Sequence, residues 1–379
     1  MNTVELLQQL IRIPSVNPDN DPGTDQVGEQ AIADFLEDLL NTHGFTVQQE
    51  EVMPERPNLI ARCPGSDDRP RIFLGPHLDT VGVTGMDFDP FCGDLRCDTI
   101  IGRGASDTKG PMAAMLTALI EHKELLAELP VAIDFVAFMA EESAQHGSKH
   151  FAEWHAHEYV FGIAGEPTSL DIVYTTKGCL WATVAAKGQA AHASQPERGS
   201  NAIMTLAAAL QTLHTDLRKE LAGYDHPVLG PSSINIGTIQ GGTRPNIVPD
   251  HAEAEIDIRL TPSLHEAGGA AKILQQFIAE RQLPLEVTQA HQNPPMETRT
   301  QDPFIQQLIQ ANPATQLVGA PWFSDAAHLA NAGIPSICLG PGSINQAHTK
   351  DEFIKIADLE AGHDYFSKFI QSFRDMPMQ

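Results

Sequence analysis

The chain has 379 residues, more than a single hydrophobic core usually serves, so two domains are the first expectation. Its 42% hydrophobic and 19% charged residues describe a globular protein and exclude a disordered or fibrous one. With 24 Lys and Arg against 49 Asp and Glu, the formal net charge of -25 repels polyanions, which removes nucleic acid and anionic membranes from the candidate partners.

The first residues, MNTVELLQQLIRIPSV, carry Glu5 early and have no basic segment followed by an apolar one, so no export signal is expected. No window approaches the roughly 20 apolar residues that a membrane span needs. Residues 27–43 place Ile32, Phe35, Leu36, Leu39 and Leu40 at helical spacing and are closed by Gly44, which predicts an amphipathic helix with a glycine just past its end. Apolar runs at 71–74, 131–138, 160–164 and 334–339 read as strands buried on both faces. Helices are expected at 112–129 and 303–311, and the alternation predicts an α/β sheet with helices on both sides.

Between residues 172 and 289 the pattern changes. It reads as strand 172–186 with a break allowed at Gly178, helix 200–220, strands 233–239 and 252–260, helix 264–281 and strand 284–288. That βαββαβ order matches a ferredoxin-like α+β module inserted into the first domain. The expected division is a catalytic domain of residues 1–175 and 291–379 and an inserted domain of residues 176–290. Five cysteines, Cys63, Cys92, Cys97, Cys179 and Cys338, are odd in number and lack CxxC spacing, which predicts neither a disulfide framework nor a thiolate metal site and points to a reduced, cytoplasmic setting.

In an open α/β sheet ligands bind beyond the carboxyl ends of the strands, so the polar residues there matter most. His77 and Asp79 follow the first apolar run, Glu141 and Glu142 the second, Glu166 the third and His348 the fourth; Asp107 lies in the glycine-bearing turn GRGASDTKG. Singly each has an ordinary reading: a surface histidine, a solvated helix start, an N-cap aspartate. Together, carboxylates packed at one sheet edge repel, and divalent cations are the simplest compensation. Two cations fit: His77 and Glu166 for one, Glu142 and His348 for the other, with Asp107 bridging and a fourth position left for water, as in a catalytic zinc site. Imidazole with carboxylate suits zinc, with cobalt or manganese able to substitute. Asp79 is placed to orient the His77 ring, and Glu141 to act as general base.

The segments GPHLDTV, GRGASDTKG, AEESAQHGS, GEPT, GGTRPNIVP and LGPGSINQAH, in that order, resemble the di-zinc aminoacylase and carboxypeptidase family, which includes acetylornithine deacetylase, succinyl-diaminopimelate desuccinylase and carboxypeptidase G. The resemblance spans essentially the whole chain. It implies a zinc-peptidase-like catalytic domain with a central mixed sheet flanked by helices, and makes the insert a lid and dimerisation domain. It further implies that His192 reaches the active site of a partner subunit to hold the oxyanion, and that Arg244 and Asn246 bind the substrate's α-carboxylate. The reaction implied is attack of metal-bound hydroxide on an amide carbonyl, with Glu141 shuttling the proton; no G-x-S-x-G elbow suggests a serine nucleophile instead.

The C-terminal Gly-Pro-Gly and Gln-Ala-His around His348 look most like acetylornithine deacetylases. The expected substrate is therefore an N-acyl amino acid, N-acetylornithine first, in arginine biosynthesis. A desuccinylase, a dipeptidase or carboxypeptidase, and a metal-free binding relative are the alternatives; the last needs a lost ligand or base, and none is missing. Asp325 is a further candidate, able to face a cationic side chain of the substrate.

Overall fold

The apolar runs form strands because they are covered on both sides. Ala132–Ala137, Arg71–Gly75, Tyr159–Ala164 and Ser336–Cys338 lie side by side and parallel at the centre of a nine-stranded mixed sheet. Thr46–Met53 and Arg56–Arg62 extend it antiparallel on one side. Alternate residues serve different cores: Ile72, Leu74, Ile133 and Phe135 join the larger cluster, which also takes in residues of the Thr3–Ile11, Lys109–Glu121 and Ile356–Ser372 helices. Phe73, Val136 and Phe138 face the other way, onto Phe151 of the His146–His155 helix and Leu329 of the Asp325–Asn331 helix. Burial on both faces explains why these strands are largely apolar on consecutive residues, apart from the paired Arg71 and Asp134.

The computed structural model describes residues 1–19, 21–65 and 68–375 of the chain. Two compact units divide it: Met1–Tyr174 with Glu297–Val318 and the chain from Ser324 onward, and Thr175–Met296 with Gly319–Phe323. The second unit is built on a four-stranded antiparallel sheet in the order Ser233–Gly241, His251–Leu260, Gly178–Lys187, Glu286–Asn293. Numbered along the chain this is 2-3-1-4, the order a ferredoxin-like βαββαβ unit takes. Helices Ala202–Thr212 and Ala270–Glu280 supply Leu206, Leu210, Leu274 and Phe277, which pack with Leu180, Val184, Ile256 and Ile258 of the strands.

Several elements differ from the sequence reading. Residues 172–187 make two strands divided at the break allowed at Gly178, and the two join different sheets: Ile172–Thr176 the large one and Gly178–Lys187 the small one. Gly178 marks the change because a Cβ there would lie 2.5 Å from the Asn293 carbonyl and 2.6 Å from the Pro295 nitrogen, where the chain leaving the insert runs alongside. The helix expected at 112–129 starts earlier, at Lys109, and stops at Glu121, followed by a single turn Lys123–Leu126; Pro130 keeps Leu129 out of helical geometry. The helix expected at 264–281 is two, Pro262–Glu266 and Ala270–Glu280, parted by Gly268 and Gly269 at φ +108° and +88°. The last strand of the insert runs on to Asn293, past its expected end at 288; it lies at the sheet edge and is largely exposed, so its sequence lacks apolar alternation. Among the described residues no helix is long and apolar enough to cross a membrane.

Candidate metal centre

The central strands deliver their following turns to one edge of the sheet. His77 comes two residues after Arg71–Gly75, Glu141 and Glu142 follow Ala132–Ala137, and Glu166 follows Tyr159–Ala164. Asp107 precedes the Lys109–Glu121 helix, whose first turn it does not cap, and His348 lies in the segment after Ser336–Cys338. These side chains meet in two groups with one shared member. His77, Asp107 and Glu166 form the first, and Asp107, Glu142 and His348 the second, each with ligand atoms within 4.8 Å of one another.

The spacing suits cations. His77 Nε2 lies 3.1 Å from Asp107 Oδ1, while His348 Nε2 lies 3.0 Å from Glu142 Oε2 and 3.6 Å from Asp107 Oδ2. Ligand atoms at bond lengths of about 2.0–2.1 Å around a tetrahedral zinc stand roughly 3.3 Å apart, so these separations bracket what such an ion requires. Glu142 Oε1 is buried with no hydrogen-bond partner, a costly state for a carboxylate oxygen unless a cation satisfies it. The donor set of imidazole and carboxylate therefore fits a pair of divalent ions.

Electrostatics tell the same story. Burial, followed by the charge of Glu166, pushes the Glu141 pKa well above the ordinary carboxylate range, with Asp325 and Glu142 adding to the rise. Burial and Asp107 do the same to Glu166, and push Glu142 up to about 6. Burial alone would pull the His77 imidazolium down, but the Asp107 and Asp79 carboxylates outweigh it and hold its pKa well up. His348 is raised chiefly by its hydrogen bond to Glu142. Protein atoms alone thus satisfy this cluster only by retaining protons, and positive charge of another kind would release them.

Three buried acceptors fix the turn that aims Glu141 and Glu142. Asn58 Oδ1 accepts the Met139 amide at 3.1 Å, Glu29 Oε1 the Ala140 amide at 3.2 Å, and Asp79 the amides of Glu141 and Glu142 at 3.0 and 3.1 Å. Asp79 has a second contact that differs in detail from its expected one. His77 Nδ1 donates at 2.8 Å to the main-chain carbonyl of Asp79, and the carboxylate stands further off, at 3.5 Å. Either contact keeps a proton on Nδ1, so in the neutral ring Nε2 is the free ligand atom on the side of Asp107. Sequence reasoning missed Glu29, Asn58 and also Glu352, whose carboxylate binds the Asp107 turn; nothing adjacent to them in the sequence shows that they will be buried.

Asp325 starts the Asp325–Asn331 helix, is 2% exposed and accepts the Ser148 hydroxyl. Its pKa is pushed up to about 7 by burial, with Asp79 adding and the Ser148 hydrogen bond opposing. Its charge in turn raises Glu141 and Glu166.

The remaining candidates belong to the inserted unit. His192 and Ile247 pair in a two-residue ladder, Ala191–His192 with Ile247–Val248, and the Ala193 amide donates to the Asn246 carbonyl at 3.0 Å. This brings the His192 segment beside the Arg244–Asn246 segment. Arg244 lines a cavity of about 560 Å³ together with Asn201, Ile203 and Pro245. The Ser194 amide donates to His192 Nδ1 at 3.2 Å, so in the neutral ring the proton sits on Nε2, which is left as a donor on an exposed side chain.

A centre of this composition on a mixed α/β sheet with a ferredoxin-like insert defines a class of metallo-hydrolase. The profile of Peptidase family M20/M25/M40 matches residues 73–372, and the chain belongs to that family. It is 31% identical to the acetylornithine deacetylase of Proteus mirabilis, over 98% of this chain and 96% of that protein. It is also 30% identical to a probable carboxypeptidase of Talaromyces marneffei, over 91% and 82% of the two chains. Among solved structures, an M20 family metallo-carboxypeptidase from Sulfolobus solfataricus shares the fold with a TM-score of 0.79 at 19% identity, covering 98% of this chain and 99% of that one. A dinuclear metal binding peptidase of the M20 family from Bacillus subtilis gives 0.70 at 16% identity, covering 97% and 96%. The family read from the six motifs is thus the family the chain belongs to.

Proposed function

We propose that the protein hydrolyses the amide bond of N-acyl amino acids, with N-acetylornithine as substrate and ornithine and acetate as products. The observation that carries this reading is the pair of ligand groups sharing Asp107, with the half-buried Glu141 next to the ligand Glu142. His77, Asp107 and Glu166 would hold one cation and Asp107, Glu142 and His348 the other; zinc is the ion proposed, with cobalt or manganese able to replace it. When bound, such ions supply Lewis-acid polarisation of the carbonyl and a more acidic water.

The chain's own groups do the rest. Glu141 takes a proton from the attacking water and delivers it to the leaving amine, a role suited to a carboxylate whose pKa is held above the usual range. Asp79 keeps Glu141 and Glu142 in place through their amides. His192 Nε2 donates to the oxygen that gains negative charge, and Arg244 and Asn246 bind the α-carboxylate, Arg244 as a planar and permanently charged donor. We assign His192 to the lid of a partner subunit. The exposed edge strand Ser233–Gly241, with Ile239 on its outside, is the surface proposed to pair two copies.

The substrate choice is supported by the near full-length likeness to an acetylornithine deacetylase and by the LGPGSINQAH segment around His348. A second reading, release of a C-terminal residue from a peptide, is favoured by the likeness to a probable carboxypeptidase. The five free cysteines support a reducing compartment, the cytoplasm in this proposal, and arginine biosynthesis is the setting the deacetylase reading entails. A panel of N-acetylornithine, N-succinyl-diaminopimelate and dipeptides, assayed with added zinc or cobalt, tests the choice. Acetate release from acetylornithine at the highest kcat/KM supports the deacetylase, and faster cleavage of the dipeptides replaces it with the peptidase.

A further inference from the structure

Glu352 is fully buried and lies four residues beyond His348. Its carboxylate binds the turn that carries Asp107. Oε2 accepts from Arg103 Nη1 at 2.7 Å and from the Gly104 amide at 3.0 Å, while Oε1 accepts from the Ser106 and Asp107 amides at 2.9 and 3.0 Å. The turn is wrapped around one anion, with Gly104 at φ +83° allowing its amide to point inward.

The same segment is tied to the Asp107 turn on either side of this carboxylate. The Gly102 amide donates to the Glu352 carbonyl at 3.2 Å, and Phe353–Lys355 pairs antiparallel with Thr99–Ile101. Upstream, the Ser343 amide donates to Ser106 Oγ at 3.2 Å. His348 itself has a left-handed backbone, φ +62°, and an exposed side chain whose ring meets Glu142 and Asp107, the two members of its own cation group. Its distance to Asp107 is set by how its own segment is fastened to the 103–107 turn, and Glu352 is the strongest fastening.

We infer that Glu352 is a positioning residue that sets the separation of Asp107 and His348, and through it the affinity of the cation group these two form with Glu142. The inference rests on the metal reading proposed above. Glu352 belongs to neither ligand group and acts only through the backbone it holds. A buried charge with four donors also stabilises the fold, so stability alone does not separate the two roles.

The test is calorimetric titration of chelator-stripped protein with zinc alone, below the unfolding transition, for the wild type, Glu352→Gln, Glu352→Asp and Asp134→Asn. Asp134 is the control, an equally buried carboxylate bound to Arg71, Tyr159 and the Cys63 amide within the sheet. The wild type is expected to bind two zinc ions. Glu352→Gln should weaken one of them by about 10–100-fold, the range for residues that orient metal ligands, with the other less affected. Glu352→Asp, which keeps the charge but not the reach, should fall between. Asp134→Asn should lower the melting temperature and leave the isotherm unchanged. If Glu352→Gln does not fold, Glu352→Asp carries the same criterion. A folded Glu352 variant with the wild-type isotherm, or equal weakening in Asp134→Asn, overturns the role of Glu352. Wild-type protein that takes up no zinc overturns the metal reading itself.

Discussion

Glu29 Oε1 accepts the amide of Ala140, the residue whose left-handed backbone at φ +57° immediately precedes Glu141. Glu29 is fully buried and also accepts two hydrogen bonds from Arg56, each at 2.7 Å. The bidentate pair fixes the glutamate, and the glutamate fixes a backbone conformation that alanine adopts only at a cost of roughly 1–2 kcal/mol.

Breaking that pair should be expensive. Glu29→Gln retains an acceptor for Ala140 but leaves the buried Arg56 charge only the more distant and exposed Asp19 carboxylate, at 3.6 Å, so the loss should approach that of a broken buried pair, about 3–5 kcal/mol. Urea denaturation should show a loss of this size. Adding Arg56→Met to Glu29→Gln should recover part of it, since the second change removes the orphaned charge. Additive losses in the double variant would mean that the two side chains are not coupled as their geometry requires.

Replacement of Glu141 by Gln tests the proton-transfer role. The amide preserves size but cannot take a proton, so kcat should fall by at least the 10²–10⁴-fold typical of general acid–base catalysis. Zinc content, measured by elemental analysis, should stay at the wild-type level, because Glu141 is outside both ligand groups. Near-normal turnover in a metal-loaded Glu141→Gln protein would assign the base to another residue.

The parts of this molecule legible in the sequence are those where chemistry and burial coincide with position along a strand. Runs such as 131–138 announce strands covered on both faces, and a polar residue just beyond each such strand announces the edge where ligands gather. His77, Glu142 and Glu166 are found that way, and Asp107 by the glycines around it. The elements that misled depend on contacts far along the chain. Gly178 marks the possible break between residues 172–176 and 178–187, but which sheet each piece joins is set by contacts far along the chain. Glu29, Asn58 and Glu352 were invisible for the same reason: each acts on main-chain amides between 81 and 248 residues away. The finer contact of His77 with the Asp79 carbonyl, rather than with its carboxylate, is likewise a matter of backbone direction.

The cluster predicts opposite pH responses with and without metal. Glu141, Glu142 and Glu166 have folded-state pKa values raised from 4.5, and His77 and His348 raised from 6.5. A group of that kind binds its proton more tightly when folded. Its contribution is complete below the unfolded value and is lost as the pH rises through the folded one. Chelator-stripped protein should therefore gain thermal stability as the pH is lowered from about 8 to about 5. Below that range Asp79, whose folded pKa is lowered from 3.8, reverses the trend. Zinc binding needs the same groups deprotonated, so the rise in melting temperature on adding zinc should be largest at high pH and fade towards pH of about 5. Melting curves recorded across this range, with chelator and with zinc, check both halves. A stripped protein that melts at the same temperature throughout would show that these groups do not carry raised pKa values.

The lid residues predict a result that depends on two chains. Removing a donor to a developing oxyanion costs about 10²–10³-fold in kcat, so His192→Ala should be nearly inactive by itself, as should Glu141→Gln. If His192 serves the partner's metal centre, a dimer with one chain of each kind contains one intact site, in which an unaltered Glu141 meets an unaltered His192. Random reassortment makes half the dimers mixed and one of their two sites active, so unfolding and refolding an equimolar mixture should restore about a quarter of the wild-type activity. Should His192 act on its own chain's centre, every site in the mixed dimer lacks one residue and the mixture stays inactive. Ile239→Lys places a charge on the outer edge of the Ser233–Gly241 strand. It should convert the dimer to monomer in sedimentation and abolish the recovery. Recovery that persists in a monomeric protein would contradict the shared site.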